Sequence, residues 1–401
     1  HGLTVDQPPG YSETPLLSMN SLKLASQGMD LAATEVTVSD VTLDTLNVSL
    51  ERNAEQEINL LKLAESWLPT SDEGNNDPSM PAPALPASPG PVVNIPAVVV
   101  DNIELKSISA QLQASIEDQP WRAGFDGLDV RVKGLYVRGP AQPAISLAPI
   151  ALDLKGLAVD QPPGFGNSRL VGLEQFTIIS GKSERPGTER VIKQVLLQGL
   201  TSSVIMRADG VTNLQVLKEA LFDKDEKTPP LGGDPIAEEE EPSPVTDLQP
   251  ILFDEIVVDG GPITYRDEVF AEEPIEASLD AIHMEVKGLH LFTDRKDVEP
   301  APASLTFELV QPGALPTAYF GALADVGPVG DGIPMVNSQA HLVGLKLDTL
   351  GTLVPKATRS ALGATGLDAG LAMAMDADSI NLNASVPVSY THLRAHETTS
   401  H

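Results

Sequence analysis

Apolar residues recur at every second position in short runs along the chain. The first clear run comprises Val36, Val38, Val41, Leu43, Leu46, Val48 and Leu50. A period of two is typical of a β-strand with one apolar face. The run also contains steps of three, and such a step changes the face unless a bulge or tight turn absorbs the extra residue. The pattern therefore predicts a mainly β fold with an extended, strongly twisted antiparallel sheet or groove.

A long stretch of the sequence returns after 154 residues. The segment GLTVDQPPGY at 2–11 matches GLAVDQPPGF at 156–165, and Asn59-Leu60 matches Asn213-Leu214 at the same offset. A constant offset over such distances indicates duplication of one structural unit. We therefore predict tandem repeat units over 1–154 and 155–309. Residues 310–387 keep an alternating pattern and are interpreted as a truncated C-terminal β segment.

One short helix is predicted in each unit. Asn59 and Asn213 each precede leucines and alanines at helical spacing, and asparagine is a favoured residue at a helix start. Segments rich in proline and acidic residues follow both helices, at about 70–93 and 223–247. Their composition cannot bury enough apolar surface to form a core, so they are interpreted as linkers. The helices are expected to cover an end or edge of the sheet, and partner binding by them remains an alternative.

Composition narrows the range of partners. The chain has 56 acidic residues against 26 Lys and Arg, a formal net charge of −30. This excess repels phosphate backbones, so we expect no nucleic-acid partner. With no cysteine in the sequence, disulfides, thiolate zinc sites and cysteine nucleophiles are excluded. No run reaches the ~18 apolar residues that a membrane-spanning helix needs.

The motifs of common enzymes are not found, so we predict no catalytic site, cofactor or metal. The glycines near 74–91 and 232–233 lack the Gly-Lys-Ser/Thr ending of a phosphate-binding loop. His392 and His396 have the spacing of metal ligands, but residues 388–401 resemble translated adapter DNA and are interpreted as a non-native tail. His283 and His290 are interpreted as structural histidines.

The strongest candidate site is the apolar stripe that both units share. Its members are Ile103, Leu105, Leu128, Val130 and Val132 in the first unit and Ile256, Val258, Ile282, Met284 and Val286 in the second. An ordinary half-buried sheet packed on its helix would explain part of this stripe. One short helix cannot cover so much one-sided sheet, however, and monomers rarely expose large apolar patches. An aliphatic lining suits acyl chains, which need area rather than directed hydrogen bonds.

The order of these motifs resembles the AsmA-like family of bacterial envelope proteins. The resemblance rests on the opening at 156–165, on Arg207-Ala208-Asp209-Gly210, and on Asn213-Leu214 with the helix that follows. In the first unit it rests on residues 2–11, Arg52-Asn53 and Asn59-Leu60. It covers 1–309 well and 310–386 loosely. It implies a periplasmic location, with an inner-membrane anchor supplied by a segment outside this sequence, and a β-groove that carries phospholipid toward the outer membrane.

The leading hypothesis is therefore a non-enzymatic module that binds or conducts phospholipid acyl chains between the inner and outer membranes. A structural spacer or scaffold, with its apolar face covered by neighbours, is one alternative. Another is an assembly factor that offers edge strands to outer-membrane polypeptides by β-augmentation. An apolar face that is open to solvent favours transport, and one that is sealed inside the fold favours the scaffold.

Overall fold

The computed structural model describes residues 2–30, 35–53, 57–67, 97–137, 145–146, 149–181, 190–222, 250–269, 274–292, 298–310, 318–329, 334–346, 366–375 and 380–385. The chain divides into two compact units, His1–Asp153 and Leu154–His401. The predicted boundary between the repeats is at 154/155, and the predicted C-terminal segment lies in the second unit. The predicted linkers and the tail at 388–401 lie outside the described residues.

The first unit is built from strands and one helix. Its elements are β1 (Leu3–Val5), β2 (Leu17–Asp30), β3 (Glu35–Glu51), α1 (Asn59–Trp67), β4 (Ala97–Ile116), β5 (Gln119–Val137) and β6 (Ile145–Ser146). The strands follow one another in the sheet in the order β1-β2-β3-β4-β5, and β6 pairs with β5. The next strand, β7 (Ile150–Asp160), begins just before the boundary between the units.

The second unit repeats this plan and extends it. After β7 come β8 (Arg169–Ser180), β9 (Arg190–Met206), α2 (Asn213–Phe222), β10 (Ile251–Asp267), β11 (Ile275–Leu291), β12 (Ala301–Val310), β13 (Ala318–Val326), β14 (Val336–Lys346), β15 (Gly366–Met375) and β16 (Ile380–Ser385). These strands are neighbours in sequence order from β7 to β16. The predicted mainly β fold with one short helix per unit is thus confirmed.

One pair of strands in each unit is parallel. β3 pairs with β4, and β9 pairs with β10, in parallel registers. The other pairings whose registers are given are antiparallel. A parallel pair needs a crossover connection of a dozen residues or more. In each unit this crossover is the segment that contains the helix and the predicted linker, so the helix lies where the chain returns to the same end of the sheet.

Residues in the left-handed backbone region absorb one three-residue step in each strand of the parallel pairs, such as the step from Leu43 to Leu46. In β3 and β4 these are Thr45 (φ 54°) and Ser107 (φ 53°), and 154 residues later they are Gly199 (φ 65°) and Gly261 (φ 111°). Thr45 and Ser107 lie side by side, because Asp44 pairs with Lys106 and Leu46 with Ile108. The extra residue therefore occurs at the same level in adjacent strands, and apolar side chains on both sides of it keep one face.

A fully buried asparagine attaches each helix to its sheet. The Nδ2 group of Asn213 donates to Gln161 Oε1 at 2.8 Å and to the carbonyl of Ser203 at 2.7 Å. Its Oδ1 accepts from the N–H of Leu214 at 3.0 Å. Asn59 makes the same three bonds, each at 2.8 Å, to Gln7, Ser49 and Leu60 at positions 154 residues earlier.

The predicted role of Asn213 as an N-cap needs a correction. The helix is capped by the residue before it: Gln215 N–H donates to Thr212 Oγ1 at 3.2 Å, and the N–H of Thr212 donates to Gln215 Oε1 at 2.8 Å. This reciprocal pair is a capping box. Because Thr212 satisfies the helix end, the amide of Asn213 can bind the Gln-Pro-Pro-Gly turn and strand β9.

The buried apolar residues lie near the helices and the ends of hairpins. In the first unit they include Leu16, Ile116 and Trp121, which are 2%, 4% and 2% exposed. In the second unit they include Phe165 and Leu170 near the turn that Asn213 holds. The middle parts of the described strands hold few residues that are fully buried, so the strands do not enclose a thick core there.

Replacing Asn213 by alanine should loosen α2. The substitution leaves Oε1 of Gln161 without its donor and removes one of the two side-chain donors to the carbonyl of Ser203, which still accepts from Gln161 Nε2 at 3.1 Å. An unsatisfied buried group costs about 1–3 kcal/mol. We expect the opening free energy of α2, measured by amide hydrogen exchange, to fall by roughly 2 kcal/mol. The exposed Glu219→Ala substitution is the control and should change it by less than about 0.5 kcal/mol. Equal protection in N213A and the parent would show that the bonds do not hold the helix.

Glycine 261 should tolerate no side chain. A Cβ there would lie 3.0 Å from the backbone of Ala281 and of Asp280, and its φ is one that L-residues rarely adopt. Gly288 (φ 69°) has open space around it and provides the control. Gly288→Ala should lower the free energy of unfolding by about 1 kcal/mol for backbone conformation alone. Gly261→Ala should lower it by at least about twice that in denaturant titration, and equal losses would contradict the steric argument.

Candidate functional site

Apolar side chains form continuous rows across the strands of the first unit. Ile103 pairs with Val132 and Leu105 with Val130, so each pair points to one side of the sheet. The rows continue through the parallel neighbour β3 and on to β2. The three rows are Leu24–Val41–Ile103–Val132, Leu22–Leu43–Leu105–Val130 and Met19–Leu46–Ile108–Leu128. We call this surface the apolar face of the first unit.

The opposite side of the same strands is polar. Glu104 lies between two residues of the apolar face in sequence, and its carboxylate forms salt bridges with Lys106 at 2.6 Å and Arg131 at 3.6 Å. On the same side, Asn102 donates to Asp40 at 3.2 Å. Charged groups on this side remain in water, where such pairs contribute little to stability. The sheet of the first unit therefore has one charged side and one apolar side.

The second unit has the same division of its faces. Ile256 pairs with Val286 and Val258 with Met284, while Ile282 pairs with Gly260. Two rows cross the strands from β8 to β15: Ile178–Val195–Ile256–Val286–Ala303–Ala324–Ser338–Met373 and Phe176–Leu197–Val258–Met284–Leu305–Ala322–Ala340–Leu371. We call this surface the apolar face of the second unit. Neither row contains a charged residue.

Over strands β9 to β11, charged and amide groups occupy the other side of the second unit. Gln194 donates to Glu255 at 2.8 Å, and Lys287 forms a salt bridge with Glu285 at 2.6 Å. Because the Glu285 carboxylate accepts this bond, the pKa of Lys287 is raised above its ordinary value. His283 Nδ1 lies 2.6 Å from Asp259 Oδ1 in an exposed pair. His283 therefore lies on the surface of the sheet, where it pairs with Asp259.

Side chains of the apolar faces are only partly covered. All ten predicted residues are half-buried, and none belongs to the buried core. Toward the edge of the first unit, exposure rises to 51% at Leu22 and 70% at Leu24. In the second unit, Leu371 is 42% exposed. The exposures of Leu22, Leu24 and Leu371 show that the described parts of α1 and α2 do not cover these rows.

The structure brings the predicted residues together within each unit and adds others. Val41, Leu43 and Ile108 complete the first unit's rows but were not among the candidates. Their alternation was visible in the sequence, and the missing information was the parallel neighbour relation of β3 and β4. In the second unit, the additional residues include Leu197 and Leu305, on strands whose alternation is less regular. Membership of a row depends on register, which single strands do not display.

Aromatic residues interrupt the aliphatic surface of the second unit at Phe176 and at one stacked pair. Phe307 and Phe320 pair across β12 and β13, and their rings stack with centroids 4.5 Å apart. Such offset-stacked pairs are worth about 0.5–1.5 kcal/mol beyond the area they bury. Elsewhere the two apolar faces are aliphatic, so they offer contact area and few directed interactions.

Two carboxyl groups with lowered pKa values lie in the turns beside the helices. The Val211 N–H, with the Arg207 guanidinium, holds the pKa of Asp209 below its ordinary value. Lys62, which donates to Glu57, has the same effect on the pKa of that carboxyl group. These bonds order the entries to α2 and α1. Among the described residues, no group of three or more His, Asp or Glu side chains is arranged to hold a metal ion.

In comparisons with known proteins, no family model, curated protein or solved structure matches this chain. The resemblance to AsmA-like proteins therefore remains an interpretation of short motifs. Over the part of the chain that the structure describes, no helix has both the length and the apolar character to cross a membrane.

Single cysteines should report directly whether the apolar face is reachable from solution. The chain has no native cysteine, so each variant carries one thiol. We expect Leu105→Cys and Val130→Cys to react with N-ethylmaleimide within about tenfold of the rate of Lys106→Cys on the opposite side. Ala114→Cys, at a position that is 8% exposed, should react far more slowly.

If the cysteines at 105 and 130 react as slowly as the cysteine at 114, the apolar face is sealed in solution. Mass spectrometry of the intact chain measures all four rates. Circular dichroism of each variant checks that the strand content is unchanged before rates are compared.

Proposed function

We propose that this chain is a non-enzymatic lipid-binding module whose apolar faces hold phospholipid acyl chains. The observation that carries the proposal is the set of uncharged rows that cross the strands while their side chains stay half-exposed. Exposing such a surface to water costs about 25 cal/mol for each Å² of apolar area. A hydrocarbon ligand that covers it recovers this energy without needing a hydrogen-bond partner.

The dimensions of the rows suit a flexible chain. Neighbouring strands lie about 4.8 Å apart, so a row over the four strands of the first unit measures roughly 15 Å. Complete burial of each methylene group stabilises a complex by about 0.8 kcal/mol. A chain lying on an open face gains only part of that amount per group, which favours binding that is reversible. Reversibility is what a protein that passes lipid onward requires.

The polar sides support the same assignment. Glu104, Lys106 and Arg131 keep one side of the first unit hydrated, so a phospholipid can leave its headgroup in water while its chains lie on the other side. The net charge of −30 disfavours adsorption of the whole protein onto anionic membranes. Lipid would therefore be held as single molecules on the protein.

We further propose that the module works in the bacterial periplasm as an AsmA-like protein, anchored in the inner membrane by a segment outside this sequence. Its role would be to bind or conduct phospholipid between the inner and outer membranes. This part of the proposal depends on the motif resemblance and on the exposed apolar faces together. A scaffold with its apolar face covered by other proteins is the principal alternative.

The test is lipid retention after purification without detergent. The chain, produced in a bacterial host, should carry phospholipid that native mass spectrometry detects as discrete adducts. Leu105→Asp and Val258→Asp place a charge on each apolar face and together should lower the lipid occupancy by about tenfold or more, since an unpaired carboxylate in contact with hydrocarbon is strongly unfavourable.

Thr42→Asp provides the matched control, because it introduces the same charge on the hydrated side beside Lys23. It should leave lipid occupancy unchanged. A parent protein free of lipid, or equal occupancy in the apolar-face and control variants, would overturn the acyl-chain proposal and leave the scaffold as the better account.

A further inference from the structure

A cavity at the end of the β4–β5 hairpin has a lining unlike the apolar faces. Its volume is about 320 Å³, and its walls include Trp121, Arg52, Arg122, Glu51 and Asp118. This volume is at the lower end of the range for small-molecule sites. Trp121 is almost wholly buried, at 2% exposure, so it lies beneath the cavity as packed support and offers little surface to a ligand.

The charges of this lining are balanced. Two guanidinium groups and two carboxylates meet at one cavity, in a chain where acidic residues outnumber Lys and Arg by 56 to 26. Guanidinium groups bind phosphate oxygens through paired, charge-assisted hydrogen bonds. Carboxylates suit an ammonium group. A ligand that carries both charges fits this lining better than a simple anion or cation.

The carboxylate of Glu51 is held in position by the turn that opens the unit. The N–H of Ser12 donates to Glu51 Oε2 at 2.9 Å, and the hydroxyl of Ser12 bonds to Oε1. Asp118 lies in the tight turn between β4 and β5, where it and Glu117 have positive φ angles. Arg122 lies on strand β5, four positions after Asp118. The lining groups thus come from three ordered segments.

The second unit supplies an internal comparison. At the positions 154 residues later, Met206 replaces Arg52, Ile275 replaces Trp121 and Glu276 replaces Arg122. Glu276 accepts from Arg266 at 2.7 Å, and Arg266 also binds Glu268 at 2.9 Å. The charged groups at the equivalent end of the second unit therefore pair with one another. Since the fold is the same in both units, the cationic and aromatic lining of the first is not a requirement of the hairpin.

We propose that this cavity binds a phosphorylated alkylammonium zwitterion of the phosphocholine or phosphoethanolamine type. Arg52 and Arg122 would hold the phosphate, and Glu51 and Asp118 would hold the ammonium group. The ligand can be the headgroup of a phospholipid or a free small molecule of the same chemistry. The inference stands apart from the acyl-chain proposal, because it uses none of the residues of the apolar faces.

Isothermal titration of the full chain with phosphocholine and with glycerophosphocholine tests the site. Either zwitterion should bind at least about tenfold more tightly than inorganic phosphate or choline alone, because each half satisfies only one pair of charges. Arg122→Gln and Asp118→Asn are at exposed positions and should fold normally. Each removes a charge-assisted bond and should weaken binding by about tenfold or more. Glu276→Gln, the equivalent change in the second unit, should have no effect.

A second arm identifies the source of the ligand. If vesicles of phosphatidylcholine bind the parent chain and lose affinity with Arg122→Gln, the site takes a lipid headgroup. If the free zwitterions bind and the vesicles do not, it takes a soluble molecule. The proposal is overturned if no zwitterion binds more tightly than phosphate and choline, or if R122Q and D118N bind as the parent does.

The two proposals fail in different ways. Leu105→Asp should leave the titration with phosphocholine unchanged, since Leu105 lies outside the cavity lining. The R122Q variant should retain lipid at the same occupancy as the parent chain. A parent chain that binds phosphocholine but retains no lipid contradicts only the apolar-face proposal. A parent chain that retains lipid but binds no zwitterion more tightly than phosphate or choline contradicts only the cavity proposal.

Discussion

The whole arrangement depends on keeping one side of each sheet apolar along strands of up to 20 residues. A regular strand achieves this with a strict period of two, yet these strands contain steps of three. Each step would rotate every following side chain to the wrong side. Left-handed residues at the same level in neighbouring strands, such as Thr45 beside Ser107, absorb the extra residue. Without them, charged and apolar groups would alternate between faces, and neither a continuous apolar surface nor a fully hydrated side could form.

The buried asparagines solve a different problem. A sheet that is open on one side has little core to hold its helices, so directed hydrogen bonds replace part of the missing packing. Asn213 joins three separate segments through a single side chain: the Gln-Pro-Pro-Gly turn, strand β9 and the start of α2. Asn59 does the same in the first unit. The internal identity of the two copies is greatest at this place, which agrees with the geometric demands of a buried polar group that must satisfy every donor and acceptor.

The two copies differ most where the fold constrains the side chains least. The ends of the β4–β5 and β10–β11 hairpins have the same backbone plan, but one carries an indole and two guanidinium groups around a cavity and the other carries a closed network around Arg266. Strand pairing tolerates both, because these side chains lie at the margins of the sheets. A duplicated fold can therefore keep two similar apolar faces and still acquire a polar site in one unit.

Many of the local features of this protein could be predicted from its sequence alone. Alternation predicted the strands, and leucines at helical spacing predicted both helices, because each of these signals is local. The 154-residue offset predicted equivalent places for Asn59 and Asn213, and the two side chains make equivalent hydrogen bonds. The stripe residues from Ile103 to Val286 were identified for the same reason. Tertiary structure decided what depends on pairing: β3 lies parallel to β4, which adds Val41 and Leu43 to the rows, and Asn213 binds a distant turn while Thr212 caps the helix. It also placed Arg52 beside Trp121, a neighbour relation across 69 residues that no spacing rule encodes, since register and long-range hydrogen bonds exist only once the chain has folded.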